Sequence, residues 1–245
     1  MADAPHVKPR NRLLGVLPQT EQARILPLIE DIPLEFRQDI YCDHVPTEHV
    51  WFPHEGVISI VAEFSEGQPV EVATIGPEGM VGIQILLGAD QVAGKAFVQV
   101  AGSAGRMRAE DFLKAVAECP HLDRLLRRYT LALFNQVAQA AGCNRAHSIE
   151  ERLARWLLMT QDRVHSREFP LTQEFLAQML GVRRPTVSLA AEILAKAHLI
   201  HYVRGRITIV DRSGLEGVAC ECYKIITNEF ERLVGTGGAD RMAER

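Results

Sequence analysis

Arginine, hydroxyl and amide side chains recur between residues 172 and 206 at spacings that suit an anionic partner. Guanidinium groups bind phosphate through paired hydrogen bonds, and polar groups at helix N-termini add further donors. The candidate residues, with the apolar Leu189 among them, are Thr172, Gln173, Arg183, Arg184, Thr186, Ser188, Leu189, Arg204 and Arg206.

The charge distribution supports the same segment. The chain of 245 residues has a formal net charge of −4, which argues against a generally basic protein. Residues 145–212 nevertheless carry 11 Lys and Arg against 7 Asp and Glu. An anionic partner is therefore first sought at this locally basic stretch.

Two short helices joined by a tight turn are predicted to position the candidate residues. Thr172 is a typical N-cap for a helix ending at Leu180, and Gly181 suits the turn that follows. A second helix is predicted over residues 185–197, with Pro185 near its first position. This is the layout of a helix-turn-helix, although two such helices could also form a hairpin that never contacts DNA.

A β-hairpin is predicted directly after these helices. Apolar residues alternate over residues 200–210, on both sides of Arg204, Gly205 and Arg206. A hairpin in this place makes the unit a winged helix-turn-helix, whose second helix lies in the major groove. Arg184 is then the candidate for reading a guanine, and Ser188 and Leu189 for touching a base edge or a thymine methyl. The residues expected at phosphates are Thr172, Gln173 and Thr186.

Cysteine and histidine give a weaker signal. Cys143 and His147 are four residues apart, a spacing that could place two metal ligands on one helix face. No second ligand pair is evident in the sequence, so no metal site and no cofactor are predicted. The chain has five cysteines, an odd and scattered set that is typical of reduced thiols.

The first 110 residues show the short, turn-bounded apolar runs of a β-roll. Strands are predicted over residues 50–53, 57–64, 70–75 and 96–100, after a helix over residues 20–29, and Ser65 to Gln68 are predicted to form a hairpin connection. The absence of intervening helices favours a jelly roll over a parallel sheet. Gly76, Gly79 and Gly82 could present backbone N–H groups to a phosphate, or could merely serve tight turns.

A long helix is predicted from Ala109 onward. One apolar stripe has coiled-coil spacing and predicts a two-fold dimer interface, made of Leu122, Leu126, Tyr129, Leu133, Gln136 and Ala140. A second stripe through Leu125, Phe134, Val137 and Ala141 is expected to pack on the roll. The alternative is that both stripes belong to an intramolecular core.

A new helix is predicted from Ser148 to Arg163, because Ser148 and Glu151 form the pattern of a capping box. Residues 144–147 would then be a hinge between the long helix and the winged unit. The predicted divisions are a sensor roll over 12–110, a dimerisation helix and hinge over 111–145, a DNA-binding domain over 146–212, a C-terminal helix over 213–234 and a disordered tail over 235–245.

The order of these parts, with the segment Leu-Thr-Gln-Glu-Phe-Leu-Ala-Gln-Met-Leu-Gly-Val-Arg-Arg-Pro-Thr-Val-Ser from Leu171 to Ser188, resembles the Crp/Fnr family of bacterial transcription regulators. The resemblance spans about residues 12–234. It implies an α+β fold with a double-stranded β-helix of cyclic-nucleotide-binding shape, a dimerisation helix and a C-terminal winged helix-turn-helix. It also implies a homodimer on promoter DNA, contact with RNA polymerase and a small-molecule effector of unknown identity.

Several residues depart from the best-known members. Gly94 and Lys95 stand where cyclic-AMP-binding members carry Arg-Ser, and Ile83 replaces their ribose-binding glutamate. Cyclic AMP is therefore not expected, and Gly79, Gly82 and Lys95 remain as the candidate effector pocket, with Lys95 either holding another anion or lying in solvent. Residues 1–41 contain no cysteine, which excludes the N-terminal iron–sulfur site of oxygen-sensing members. Pro185 and Leu189 replace base-reading residues, so the operator sequence does not carry over.

Two functions follow as hypotheses. The first is a cytoplasmic, dimeric transcription regulator that binds a pseudo-palindromic site. The second is a signalling scaffold whose roll binds a nucleotide-like ligand and whose helical end binds protein. No enzyme is predicted, because no nucleophile elbow or Walker loop is present, and no apolar run reaches the roughly 18 residues of a membrane span.

Overall fold

The structure of the chain is a computed structural model that describes residues 9–66, 69–164 and 166–235. The strands are β1 (Glu30–Leu34), β2 (Asp39–Tyr41), β3 (His49–Ala62), β4 (Val70–Ile75), β5 (Lys95–Arg108), β6 (Glu168–Pro170), β7 (Ile200–Val203) and β8 (Arg206–Ile209). The helices are α1 (Arg12–Gly15), α2 (Gln19–Ile25), α3 (Ala109–Glu118), α4 (Pro120–Ala146), α5 (Ile149–Val164), α6 (Gln173–Leu180), α7 (Arg184–Lys196), α8 (Arg212–Val218) and α9 (Cys222–Val234).

Strands β1 to β5 form an antiparallel sheet in the order β1-β5-β3-β4, and β2 also pairs with β5. The two runs predicted over 50–53 and 57–64 are a single bulged strand, β3, and the run predicted over 96–100 continues to Arg108. Gly56 makes the bulge in β3 possible. Its φ is +91°, and a Cβ there would lie 2.5 Å from the Val100 carbonyl oxygen. The alternating apolar pattern of the sequence is interrupted at Gly56, but strand β3 continues through it.

The predicted long helix is two helices. Cys119 leaves helical geometry, and Pro120 begins α4 at a position where its missing N–H costs no hydrogen bond. Helix α3 closes one side of the roll through Phe112, which is fully buried.

The two faces of α4 are the reverse of those expected from the sequence. The stripe predicted to be the dimer interface, Leu122, Leu126, Tyr129, Leu133, Gln136 and Ala140, is buried within the chain itself, at 9% exposure or less. Tyr129 donates a hydrogen bond to the Met80 carbonyl, and Gln136 donates one to the Thr74 carbonyl, so both hold α4 against the roll. The stripe expected to cover the roll turns outward instead at Phe134, Val137 and Ala141, whereas Leu125 is buried.

Helices α5 to α8 and the small sheet β6-β8-β7 form the second part of the chain, around a second buried core that also includes Val61 and Phe97 of the roll. The capping box of α5 is present with both hydrogen bonds: the Ser148 N–H donates to the Glu151 carboxylate, and the Glu151 N–H donates to the Ser148 hydroxyl. The hairpin β7–β8 turns at Arg204 and Gly205, which both have positive φ, as in a two-residue hairpin turn. Strand β6, which pairs with β8, was not predicted.

The single C-terminal helix predicted over 213–234 is divided between α8 and α9, which are separated by residues 219–221. Helix α9 lies along α4, and Asn135 on α4 donates a hydrogen bond to Glu229 on α9. Most of the predicted tail, residues 236–245, lies outside the described residues, as do Gly67 and Gln68 of the predicted hairpin connection.

The second part of the chain rests on the edge of the roll. The Phe175 ring on α6 packs against the rings of Phe36 and Phe97, with centroids 6.1 Å apart in each case. Trp156 on α5 donates a hydrogen bond to Glu71 on β4. Among the residues that the structure describes, no helix has both the length and the apolar character needed to cross a membrane.

Candidate nucleic-acid interface

Helices α6 and α7 have the geometry of a helix-turn-helix. The Thr172 hydroxyl accepts a hydrogen bond from the Phe175 N–H and caps α6. Gly181 ends this helix in the left-handed region, with φ of +63° and ψ of +37°. Helix α7 then begins at Arg184, with Arg183 as its N-cap residue. The N-terminal turn of α7 is therefore held at the surface beside the start of α6.

Two adjoining hollows lie on this surface. The first is lined by Thr172, Gln173, Glu174, Arg184, Tyr202, Arg204 and Gly205. The second is lined by Gln173, Arg184, Pro185, Ser188, Leu189 and Glu192. Arg184 and Gln173 line both hollows, so the structure brings six of the nine sequence-predicted residues together along one concave face. Arg183 and Thr186 are exposed close by on α7.

The arginines of this face differ in their partners. Within the described residues, no carboxylate lies at ion-pair distance from Arg183, Arg184 or Arg204. Arg206 is different, because its guanidinium lies 2.8 Å from a Glu168 carboxylate oxygen on β6. Arg206 begins β8 rather than forming the turn, so the hairpin tip carries one unpaired arginine instead of the expected two.

The polar side chains are partly engaged with each other. The Ser188 hydroxyl donates to the Gln173 side-chain oxygen at 2.7 Å. This contact fixes Gln173, whose amide group keeps its two N–H donors for other partners. The Thr172 hydroxyl accepts within its cap and can still donate its own hydrogen.

Tyr202 on β7 is a residue of this face that sequence reasoning missed. Its hydroxyl donates to the Leu171 carbonyl at 3.1 Å, which ties the hairpin to the residue before the α6 cap. In the alternating pattern over residues 200–210, Tyr202 was counted only as an apolar residue of a strand. Its hydroxyl, at the edge of the hollow, could have been noted from the residue type alone.

The predicted effector pocket is not assembled as expected. Lys95 is held by Asp39, with 2.7 Å between its Nζ and the carboxylate, so it is neither free for an anion nor simply solvated. Gly79 faces α4, where a Cβ would lie 2.6 Å from the Tyr129 hydroxyl oxygen. Only Gly82 borders a cavity in the roll, of about 270 Å³, which is lined by largely apolar residues including Tyr41, Ile60, Met80 and Leu133.

The glycine-rich segment around residues 76–82 is a packing element. A Cβ on Gly76 would lie 2.6 Å from the Arg163 side chain, and Gly79 meets Tyr129 in the same way. Arg163 on α5 also forms a buried ion pair with Glu78 at 2.8 Å. Gly76 and Gly79 therefore admit side chains from α5 and α4, whereas Gly82 has the positive φ, +99°, that the tight-turn alternative requires.

Comparison with known proteins bears on both parts of the chain. Residues 151–218 match the model of the Crp-like helix-turn-helix domain. Comparison with curated protein sequences finds no match. FixK2 from Bradyrhizobium japonicum has a similar structure, with a TM-score of 0.66 and 18% sequence identity, over 78% of this chain and 98% of that one.

Two transcriptional regulators of Thermus thermophilus are also similar in structure. The first, of the Crp family, has a TM-score of 0.64 and 18% identity over 77% of this chain and 96% of that one. The second, of the Crp/Fnr family, has a TM-score of 0.61 and 19% identity over 78% of this chain and 98% of that one. The chain thus has the α+β fold of Crp/Fnr regulators, as predicted. Its second part contains a Crp-like helix-turn-helix domain.

Proposed function

We propose that the protein is a sequence-specific DNA-binding transcription regulator of the Crp/Fnr type, which acts as a homodimer on a pseudo-palindromic promoter site. The observation that carries the proposal is the position of Arg184. It is exposed at the first turn of α7, it lines both hollows, and it has Arg204 of the hairpin across the first hollow. A helix N-terminus flanked by unpaired arginines suits insertion into a groove lined by phosphates.

The residues take different roles in this proposal. Arg184 reads a guanine by donating paired hydrogen bonds to the two acceptor atoms of that base. Ser188 and Leu189 face the bases one turn further along α7. Arg204 contacts the backbone from the hairpin, as Thr172 does from the start of α6. Arg206 contributes less than Arg204, because its ion pair with Glu168 must be broken or shared.

The proposed dimer uses the outward face of α4. Leu131, Phe134, Ala138 and Ala141 follow one another by three, four and three residues, and the side chains of Leu131 and Phe134 are 46% and 66% exposed. That spacing is a coiled-coil seam, and the alanines would allow two helices to approach closely. A two-fold dimer would place two α7 helices about 34 Å apart, one turn of the duplex.

The effector of the proposed regulator is not cyclic AMP, or the protein has none. A cyclic phosphate needs a cation, and no arginine or lysine is among the described residues that line the roll cavity. The pairing of Lys95 with Asp39 supports the same view. Titration calorimetry with cyclic AMP should therefore show no binding heat.

The proposal is tested with fluorescence-labelled duplexes from the promoter region of the protein's own gene. Affinity should fall steeply as salt rises, because bound arginines displace counterions from DNA. Arg184→Ala should weaken binding to the preferred site by about 5- to 150-fold, corresponding to about 1–3 kcal/mol, and should weaken binding to an unrelated duplex much less. Lys196→Ala is the matched control: it removes one charge from the other end of α7, where Lys196 pairs with Glu192.

Equal losses for Arg184→Ala and Lys196→Ala on both duplexes would show that α7 does not read bases. If neither the wild-type chain nor the variants bind any duplex at low salt, the scaffold hypothesis replaces the regulator.

A further inference from the structure

Four side chains with metal-binding atoms meet near the end of α4. The ligand atoms of Cys143, His147, Cys220 and Cys222 all lie within 4.8 Å of one another, and the three cysteines are buried. The Cys143 and Cys220 sulfurs are 3.6 Å apart, and the Cys222 sulfur is 3.5 Å from His147 Nδ1. The sequence analysis found no second pair for Cys143 and His147, and the fold supplies that pair from about 75 residues away.

Two local structures bring these side chains together. Cys143 lies in the last turn of α4, and His147 follows the helix in an extended conformation, with φ of −111° and ψ of 151°. Cys220 lies in the short connection between α8 and α9, and Cys222 is the first residue of α9. The cluster therefore joins the end of α4 to the C-terminal edge of the helix-turn-helix domain.

The spacing of the cluster suits one metal ion. In a tetrahedral zinc site with Zn–S bonds of about 2.3 Å, neighbouring ligand atoms are about 3.8 Å apart. The two distances of 3.6 and 3.5 Å lie close to this value. An iron–sulfur cluster would hold its cysteines further apart, because bridging irons and sulfides would lie between them.

The surrounding residues have the character of an outer ligand shell. His147 would bind through Nδ1, and its Nε2 lies 3.2 Å from a Glu221 carboxylate oxygen, the arrangement that orients metal-binding histidines. The Gln139 amide donates a hydrogen bond to the Cys222 sulfur at 3.0 Å.

We propose that Cys143, His147, Cys220 and Cys222 form a closed mononuclear metal site whose ion is Zn²⁺. Three thiolates and one imidazole fill four tetrahedral positions, and the thiols release their protons to solvent as the ion binds. With no open position, the ion has a structural role. It fixes the α8–α9 connection to the end of α4, which continues through Ala146 and covers most of the hinge predicted over residues 144–147.

The test begins with the full-length protein purified without chelator, under reducing conditions. Elemental analysis should find about one zinc per chain. After the zinc is removed, titration of the reduced chain with Co²⁺ should produce thiolate-to-metal charge-transfer absorption and intense visible bands typical of tetrahedral cobalt, and added Zn²⁺ should abolish both. This measurement needs no variant and therefore does not depend on how well a variant folds.

Variants locate the site. Cys220→Ser should remove bound zinc and the cobalt spectrum, whereas Cys119→Ser should retain both, because Cys119 is equally buried but lies outside the cluster. His147→Cys should keep one metal per chain and shift the charge-transfer band, as a fourth thiolate joins the site. X-ray absorption at the zinc edge should give three sulfur ligands and one nitrogen ligand.

Three results would overturn the proposal. The first is a reduced wild-type chain that holds no zinc and gives no cobalt spectrum. The second is an unchanged cobalt spectrum in Cys220→Ser. The third is a thiol count of three in native, metal-free protein that rises to five on reduction, together with a peptide map that assigns the disulfide to Cys143 and Cys220, whose sulfurs lie 3.6 Å apart.

Discussion

Glu71 carries a proton-dependent contact between the roll and the second part of the chain. Its carboxylate lies between β4 and α5, where it accepts hydrogen bonds from the Ser59 hydroxyl and the Trp156 indole, each at 2.8 Å. Burial raises the pKa of Glu71 to about 7, although these hydrogen bonds and the Arg155 and Arg163 cations act in the opposite direction. Near neutral pH, the folded chain therefore holds a proton that an unfolded chain has lost.

The hydrogen bonds around Glu71 also favour the protonated form of its carboxyl group. The single Ser59 hydroxyl hydrogen faces two acceptors, the Glu71 carboxylate and the Gln99 side-chain oxygen at 2.7 Å. A protonated Glu71 can donate to the Ser59 oxygen and leave the hydroxyl hydrogen for Gln99. A glutamine at position 71 can do the same through its amide group at every pH.

The magnitude follows from linkage. Because the pKa of Glu71 is about 7 in the folded chain and its ordinary value is 4.5, the contribution of Glu71 to stability is complete below pH 4.5 and is lost as the pH rises through 7. The free energy of unfolding should fall by about 1.4 kcal/mol per pH unit in this window, and by about 3 kcal/mol over the whole of it. Glu71→Gln removes this loss, so the variant should match the wild type near pH 4.5 and exceed it by up to about 3 kcal/mol at pH 8.

Urea unfolding followed by tryptophan fluorescence, at half-unit steps from pH 4.5 to pH 8, measures the difference. Glu63→Gln, on the connection that precedes β4, is the control, because Glu63 is exposed and takes no part in the contact between Glu71 and α5. A stability difference between Glu71→Gln and wild type that is constant with pH, or that grows toward acid, would refute the assignment.

Two further changes test the packing and the dimer. Gly79→Ala should destabilise the chain by about 1–3 kcal/mol in urea unfolding, because its Cβ would meet the Tyr129 ring and hydroxyl; a neutral result would mean that α4 can move away from the segment. Phe134→Glu should convert a dimer to a monomer in light scattering with an unchanged circular dichroism spectrum, since Phe134 is 66% exposed. A dimer that persists in this variant would exclude the outward face of α4 as its interface.

Features encoded within a few residues were predictable from the sequence. The Ser148–Glu151 capping box, the Thr172 cap and the left-handed Gly181 all appear in the structure as their local patterns indicate. Each depends on hydrogen bonds or backbone angles within one turn, so neighbouring residue types determine it. The helix-turn-helix and its exposed arginines followed from such signals.

The faces of α4 could not be assigned in this way. Both stripes have apolar residues at helical spacing. Such spacing indicates that a stripe is covered, but it does not distinguish between the roll and a second copy of the chain as the cover. The deciding contacts are the hydrogen bonds of Tyr129 and Gln136 to carbonyls of the roll, about 50 and 60 residues earlier in the chain. A polar side chain within an apolar stripe can bind a fixed partner in its own chain at least as well as it can lie in a symmetric interface. Gln136 was therefore the residue that indicated packing within the chain.

The position of α5 links the features that sequence analysis missed. Trp156 on this helix contacts Glu71, Arg163 contacts Glu78, and the cysteine cluster lies just before its first turn. All three contacts join segments that are distant in sequence. The helix-turn-helix is itself packed on α5, so these contacts connect the arginine-bearing face of α7 to the roll and to the end of α4.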